Sequence, residues 1–303
     1  MFRQLHLTVL FPLLLLATAA TAQTEFQVVT QVIEKSWPYR EGNELNIEGD
    51  KAKIVVETWD EPTVRVVLEL VAKHPERSVA ERELGYMVHT AEVVGQDIYL
   101  RNYLKTPDGG KRTEAAITAI YTVTLPDDCP VYLKNNFGNT FVSNLARSLR
   151  INSEFSNVQV KNVSGEMTVS TRFGEFDGEQ LDGKVRMNTH RTAVTLRDIR
   201  GDFDIRSKFG TIKLFTDPNL LLNELLTLNI EAEKSDVFFF SQEPTAFGYD
   251  LIAHYGNITA PQDLKMNFLE NTESLKRAVF SPAGGAASLS VKITFGDLVI
   301  RKP

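Results

Sequence analysis

From about residue 131 onward, apolar and polar residues alternate in short runs that recur every 18 residues. In 167–181 (MTVSTRFGEFDGEQL), Met167, Val169 and Thr171 alternate with Thr168, Ser170 and Arg172. After Phe173-Gly174, Phe176 and Gly178 alternate with Glu175, Asp177 and Glu179. Period-two alternation with one apolar face predicts a half-buried strand, so each repeat predicts two strands joined at a corner. Copies begin at Phe137, Phe155, Phe173, Arg191 and Phe209, and looser ones at Lys234, Tyr255 and Phe295. A fixed period of this size with strand-like alternation predicts a stacked, all-β architecture.

Equivalent positions then predict columns. Phe137, Phe155, Phe173 and Phe209 are expected to stack at one corner, with Tyr255 and Phe295 at the same place in the looser copies. Gly174, Gly210, Gly256 and Gly296 each follow an aromatic residue, where a sharp turn with positive φ suits glycine. Gly165, Gly183 and Gly201 mark a second corner. Val158, Phe176, Val194 and Ile212 are expected in the core from one side, and Ile151, Val169, Met187 and Ile205 from the other. Ser153, Thr171, Thr189 and Ser207 form a hydroxyl column expected to make room for the rings and to satisfy turn backbone groups. Phe173 itself is expected to be buried. Outside, Lys161, Glu179 and Arg197 are expected as neighbours, and Arg186 beside Asp204. Opposite charges on adjacent strands contribute roughly 0.2–1 kcal/mol each, enough to favour a register.

Residues 1–22 read as a signal peptide: Arg3, an apolar run from Leu5 to Leu16, then Ala20-Thr21-Ala22 before Gln23. Residues 23–130 read as an irregular β region that caps one end of the stack, and 131–303 as the repeats. Insertions interrupt the repeats at 216–225, 241–248 and 261–288. The last is expected to hold a helical piece around Asn267–Arg277. In the N-terminal region, 45–59 repeats the strand–turn–strand pattern, Val64–Val71, Ile98–Tyr103 and Ile117–Leu125 read as strands, and Pro75–Tyr86 as a short helix. No later stretch reaches the ~20 apolar residues of a spanning helix. The expected destination is therefore export, to the periplasm or to the cell surface and beyond, without a transmembrane segment.

The 33 basic and 39 acidic residues give a net charge of −6. No basic excess marks a nucleic-acid surface. Cys129 is the only cysteine, so no intrachain disulfide is available. It lies between Asp128 and Pro130, where negative charge disfavours a thiolate. His190 and His254 both precede the corner position. About three coils at ~4.8 Å separate them, too far to share one metal ion. Glu175, Asp177 and Glu179 share a strand face with ~6.6–7 Å between alternate residues, the spacing of an inverting glycosidase pair. Their expected neighbours, Asn157, Gln159, Lys161, Ala193, Thr195 and Arg197, do not make a sugar-binding cluster of basic and aromatic groups. No nucleophile elbow, metalloprotease helix, Cys-x-x-Cys pair or phosphate loop is present. The residues thus nominate no catalytic, cofactor-binding or metal site and no cofactor.

The recurring Phe-Gly-x-hydrophobic-x-hydrophobic element, at 137, 173, 209 and 295 with Tyr255-Gly256 as a variant, resembles that of a bacterial family of exported β-repeat proteins known as putative adhesins. So does the strand–turn–strand ending in Thr58-Trp59-Asp60 and followed by Val64-Arg65-Val66. The similarity spans about 26–301, with Arg191 and Lys234 departing from the aromatic pattern. It implies a right-handed parallel β-solenoid or β-roll in the cell envelope and carries no catalytic residues. The resulting expectation is a non-enzymatic scaffold or binding module whose partner is an envelope protein or glycan. The alternative is a polysaccharide-active enzyme using the 175–179 acids. Nothing in the sequence fixes an oligomeric state.

Overall fold

The computed structural model describes residues 25–107, 112–216, 226–282 and 287–303. The signal peptide, nearly all of the 216–225 insertion and residues 283–286 lie outside the described residues. Within them the chain is almost entirely β, in one open, mixed sheet, with a single α-helix at Arg77–Leu84. That helix falls inside the predicted 75–86 and buries Val79, Ala80 and Leu84.

Strand alternation sets the pairing. Leu149–Glu154 lies parallel between Val131–Asn136 and Met167–Arg172, with Ile151 opposite Leu133 and Val169. The next rows pair at the same offset of 18, as Met187 with Ile205 and Val194 with Ile212. An offset equal to the sequence period puts like residues against like, so each column is either wholly inward or wholly outward. Val158, Phe176, Val194 and Ile212 are buried, as are Ile151, Val169, Met187 and Ile205, and both sets join one core. After the insertion the offset becomes 25, with Ile205 opposite Ile230, and the inward positions still match.

The last rows do not follow chain order. Ser288–Thr294 pairs with Thr227–Glu233 on one side and with Gly248–His254 on the other. Leu298–Arg301 likewise pairs beside Val237–Phe240, and Asp297–Val299 beside Asn257–Thr259. The C-terminal strands are therefore interior, hydrogen-bonded on both edges, where a chain end would otherwise fray. The segment that makes this return is not helical as expected. Asn267–Asn271 and Leu275–Phe280 form a hairpin, and the second strand adds antiparallel to Gly248–His254. The unpaired edge of that strand supplies hydrogen bonds that outweigh a weak local helix preference.

Rows also extend before residue 131. Leu45–Asp50 and Ala52–Thr58 lie parallel to Val131–Asn136 and Asn139–Ser143. Asp97–Leu104 and Ala116–Leu125 add the next row. Antiparallel strands then follow: Thr63–His74, Gln27–Pro38 and Met87–Val94. The sequence pattern assigned no strand to 27–38 or 87–94.

The corners differ from expectation in an instructive way. The left-handed residue at the first corner is not glycine. Lys51, Phe137, Phe155, Phe173, Arg191, Phe209, Lys234, Tyr255 and Phe295 all have φ between 49° and 58°. The glycine that follows is needed for space instead: a Cβ on Gly138 would lie 1.9 Å from the Ala52 carbonyl oxygen, and one on Gly174 would lie 2.0 Å from that of Ser156. At the second corner Gly165, Gly183 and Gly201 do take positive φ, at 98°, 130° and 90°.

Three substitutions test this division of labour by urea unfolding of the mature chain. Gly174→Ala places a methyl group against backbone and is expected to cost about 2–4 kcal/mol. Phe176→Ala empties a fully buried ring site and is expected to cost about 3–5 kcal/mol, whereas Asp177→Ala on the outer face stays under ~1 kcal/mol. Equal midpoints for all three would contradict the assigned facing.

Candidate functional site

The first-corner residues form a column along the stack. Phe137 and Phe155 stack at 5.1 Å and 1°, and Phe155 and Phe173 at 4.7 Å and 4°. Tyr255 and Phe295 stack at 5.2 Å. Arg191 fills the gap in the aromatic run: its guanidinium carbon lies 5.6 Å from the Phe173 ring and 5.7 Å from that of Phe209. Lys234 places its ammonium 5.2 Å from the other side of Phe209. A cation between ring faces recovers much of what a missing ring loses, because the π face is electron-rich. His190 meets Phe173 and Phe209 edge-on, at 5.9 and 5.4 Å.

These rings are not core. Phe137 is 56% exposed and Tyr255 62%, and Phe173, expected to be buried, is half-exposed. Along the column the inner rings have their faces covered and their edges in water, while Phe137 and Tyr255 each stack on one neighbour only. The hydroxyl column also behaves differently from expectation. The Oγ atoms of Ser153, Thr189 and Ser207 are buried without a hydrogen-bond partner. Backbone groups are satisfied one strand later, by Ser156, Thr192 and Ser235. Ser156 Oγ accepts from the Gly138 N–H, and Ser235 Oγ from the Gly210 N–H. Thr192 Oγ1 donates towards the His190 carbonyl. Ser153, Thr189 and Ser207 therefore act through small size, while Thr171 Oγ1 also donates to Thr192 Oγ1 at 3.0 Å.

Of the three acids on the 175–179 strand, Asp177 and Glu179 are tied to bases on adjacent rows, and Glu175 makes no ion pair among the described residues. Lys161 Nζ donates to Glu179 Oε1 at 2.9 Å, and Arg197 Nη1 donates to Asp177 Oδ1 at 2.5 Å. The expected trio of Lys161, Glu179 and Arg197 thus divides between two pairs. Arg197 also lies 5.5 Å from the Phe215 ring. Arg186 is in register with Asp204 but makes its ion pair with Glu166 at 3.9 Å. Asp177 and Glu179 are thereby held in position by the neighbouring rows.

Beside these pairs the outer face is concave. A depression of about 380 Å³ is lined by Lys53, Val55, Glu57, Phe141, Ser143, Gln159, Lys161, Asp177 and Glu179, among others. Val55 is opposite Phe141, and Phe141 opposite Gln159, so the floor passes from apolar to polar over successive rows. Sequence reasoning missed this surface. Its one signal was Phe141, an aromatic at an outward position of a strand whose inward partners are Thr140 and Val142.

The remaining candidates stay apart. His190 and His254 are linked through the registered positions Lys208, Glu233 and Thr294, which makes four row spacings and not three. At ~4.8 Å each that is roughly 19 Å. Among the described residues no group of three or more His, Cys, Asp or Glu could hold a metal ion, and no helix is long and apolar enough to cross a membrane. Cys129 is fully buried and its Sγ points to the Pro130 carbonyl at 3.6 Å. Burial, aided by the Asp128 and Glu44 carboxylates, pushes its thiol up to about 12.

Two outcomes follow. Phe173→Ala is expected to cost about 1–2 kcal/mol, the value of a half-exposed stacked ring, and less than Phe176→Ala in the same urea titration. Cys129 is expected to be inert to thiol-exchange reagents at pH 8 until the chain unfolds. Burial holds its folded pKa above that of an exposed thiol in the unfolded chain. The stabilising difference is therefore complete below pH 9 and is lost as pH rises from about 9 to 12, where only the unfolded chain releases the proton. A melting temperature that rises over that interval in the wild type but not in Cys129→Ser would refute the sign.

No family profile and no curated protein matches the chain. Several solved structures resemble it along most of its length. A putative adhesin from Bacteroides fragilis is 11% identical, with a TM-score of 0.44, covering 89% of this chain and 97% of its own. A putative cell adhesion protein from Clostridium sporogenes is 14% identical, with a TM-score of 0.25, covering 90% and 100%. A putative lipid binding protein from Parabacteroides distasonis is 12% identical, with a TM-score of 0.35, covering 90% and 96%.

Proposed function

We propose that this chain is an exported, non-enzymatic, right-handed parallel β-solenoid that serves as a scaffold or adhesion-type binding module in the cell envelope, in the periplasm or at the cell surface. In this reading residues 1–22 direct export and 23–130 cap one end of the stack. The column of Phe137, Phe155, Phe173, Phe209, Tyr255 and Phe295, with Gly174, Gly210, Gly256 and Gly296 beside it, keeps the repeating rows of 131–303 aligned. The observation that carries the reading is the uninterrupted series of in-register rows. It yields a long, rigid outer face whose charges are mostly paired with neighbours, as Asp177 is with Arg197 and Glu179 with Lys161. Such a face is suited to holding a partner in place. The partner is an envelope protein or a glycan.

The test is retention of the purified mature chain on immobilised envelope glycans and on fractionated envelope proteins, with tagged cells treated with surface protease to place it. Specific retention on at least one fraction is expected. Glycan turnover that disappears in Asp177→Asn or Glu175→Gln would overturn the non-enzymatic reading.

A further inference from the structure

We propose that the depression around Phe141 is a saccharide-binding site, with the Phe141 ring as its platform. This rests on the binding-module reading and gives it a ligand class and an address. The first argument is the state of the ring. Phe141 is 38% exposed, and among the described residues no other ring stacks on it. The inner corner rings, Phe155, Phe173 and Phe209, have both faces against neighbouring rings or cations, and Phe137, Tyr255 and Phe295 each have one face stacked. Phe141 differs from all of them in lying inside a depression, where a ligand on its face also reaches polar side chains.

The second argument is what surrounds the ring. Val55 extends the apolar floor on one side, and Gln159 follows on the other. Lys53, Glu57 and Gln159 line the same depression, and among the described residues none of them makes an ion pair or side-chain hydrogen bond. Beyond Gln159, Asp177 and Glu179 are oriented by Arg197 and Lys161, which fixes their free oxygens as acceptors. Donors and acceptors thus ring a small apolar floor, over a length of three row spacings, roughly 15 Å. A pyranose has the matching chemistry: C–H groups on a face that packs on an aromatic ring, and hydroxyls around its rim that reach polar side chains.

Other ligand classes fit less well. The solvent-facing apolar floor is Phe141 and Val55, since Val56, Val142 and Val160 also line the depression but are themselves buried, which leaves too little open apolar surface to enclose an acyl chain. The strands beneath are paired along both edges, since Asn139–Ser143 lies between Ala52–Thr58 and Asn157–Lys161, so no free edge is offered to an extended peptide. The cations Lys53 and Lys161 are matched by three carboxylates, which opposes a phosphate backbone.

The test is calorimetric titration of the mature chain with cellotetraose, tri-N-acetylchitotriose and an oligogalacturonate. These probes distinguish neutral, N-acetylated and acidic sugars. At least one is expected to bind, with Kd raised about tenfold or more by Phe141→Ala and several-fold by Gln159→Ala. Phe141→Trp is expected to retain binding, and Phe137→Ala, which removes an exposed ring from the same stack outside the depression, to leave Kd unchanged. Circular dichroism melts of each variant separate loss of fold from loss of ligand. Binding that ignores Phe141→Ala, or falls equally with Phe137→Ala, overturns the site, as does the absence of binding by all three sugars. If envelope fractions still retain the Phe141→Ala chain as well as the wild type, the saccharide site fails while the binding-module reading stands. If nothing retains even the wild type, both fail.

Discussion

Each row of this protein must turn its chain at a corner where the backbone adopts a conformation that L-residues avoid, and that requirement organises much of the rest. A left-handed non-glycine residue costs roughly 1–2 kcal/mol, and the corner repeats it at Lys51, Phe137, Phe155, Phe173, Arg191, Phe209, Lys234, Tyr255 and Phe295. The compensation is contact between rows. A side chain held at positive φ points outward at the same height in every row, so rings stack on rings and cations lie over rings. The strain of one row is offset by the next.

The same corner sets how closely rows approach. Gly138, Gly174, Gly210, Gly256 and Gly296 each bring their Cα against a neighbouring carbonyl, within 2.3 Å of where a Cβ would stand. Along the stack these glycines interleave with Ser156, Thr192 and Ser235, whose hydroxyls bind adjacent backbone groups. One position of the repeat thus provides space in some rows and a hydrogen bond in others. Above it, Ser153, Thr171, Thr189 and Ser207 keep the core narrow near the turn.

Rigid rows also make the outer face a place where side chains hold fixed spacings. Most of its charges are used between rows, as in Lys161 with Glu179, Arg172 with Glu154 and Lys208 with Glu233. The depression at Phe141 stands out because it breaks that economy, with an open ring and unpaired polar groups over an apolar floor. It forms where a row contributed by 52–58 meets the rows that begin at 139, so residues far apart in the chain create it.

The sequence by itself determined the period, the inward and outward columns, and the row-to-row register through residue 214. A two-residue alternation rules out every odd slip, and the corner and glycine positions recurring every 18 residues select the offset of 18 among the even ones. It also located both corners, although it assigned the strained φ to glycine when the aromatic or basic residue bears it. Only the tertiary structure decided the order of the last rows, where Ser288–Arg301 enters between strands that precede it. The 267–280 hairpin and the burial of Phe173 were likewise decided there. These depend on which strand edges and ring faces remain free once the regular rows have formed, and no local pattern encodes that. The depression around Phe141 belongs to the same class: its ring was visible in the sequence, but its neighbours were assembled by pairing across 80 and more residues.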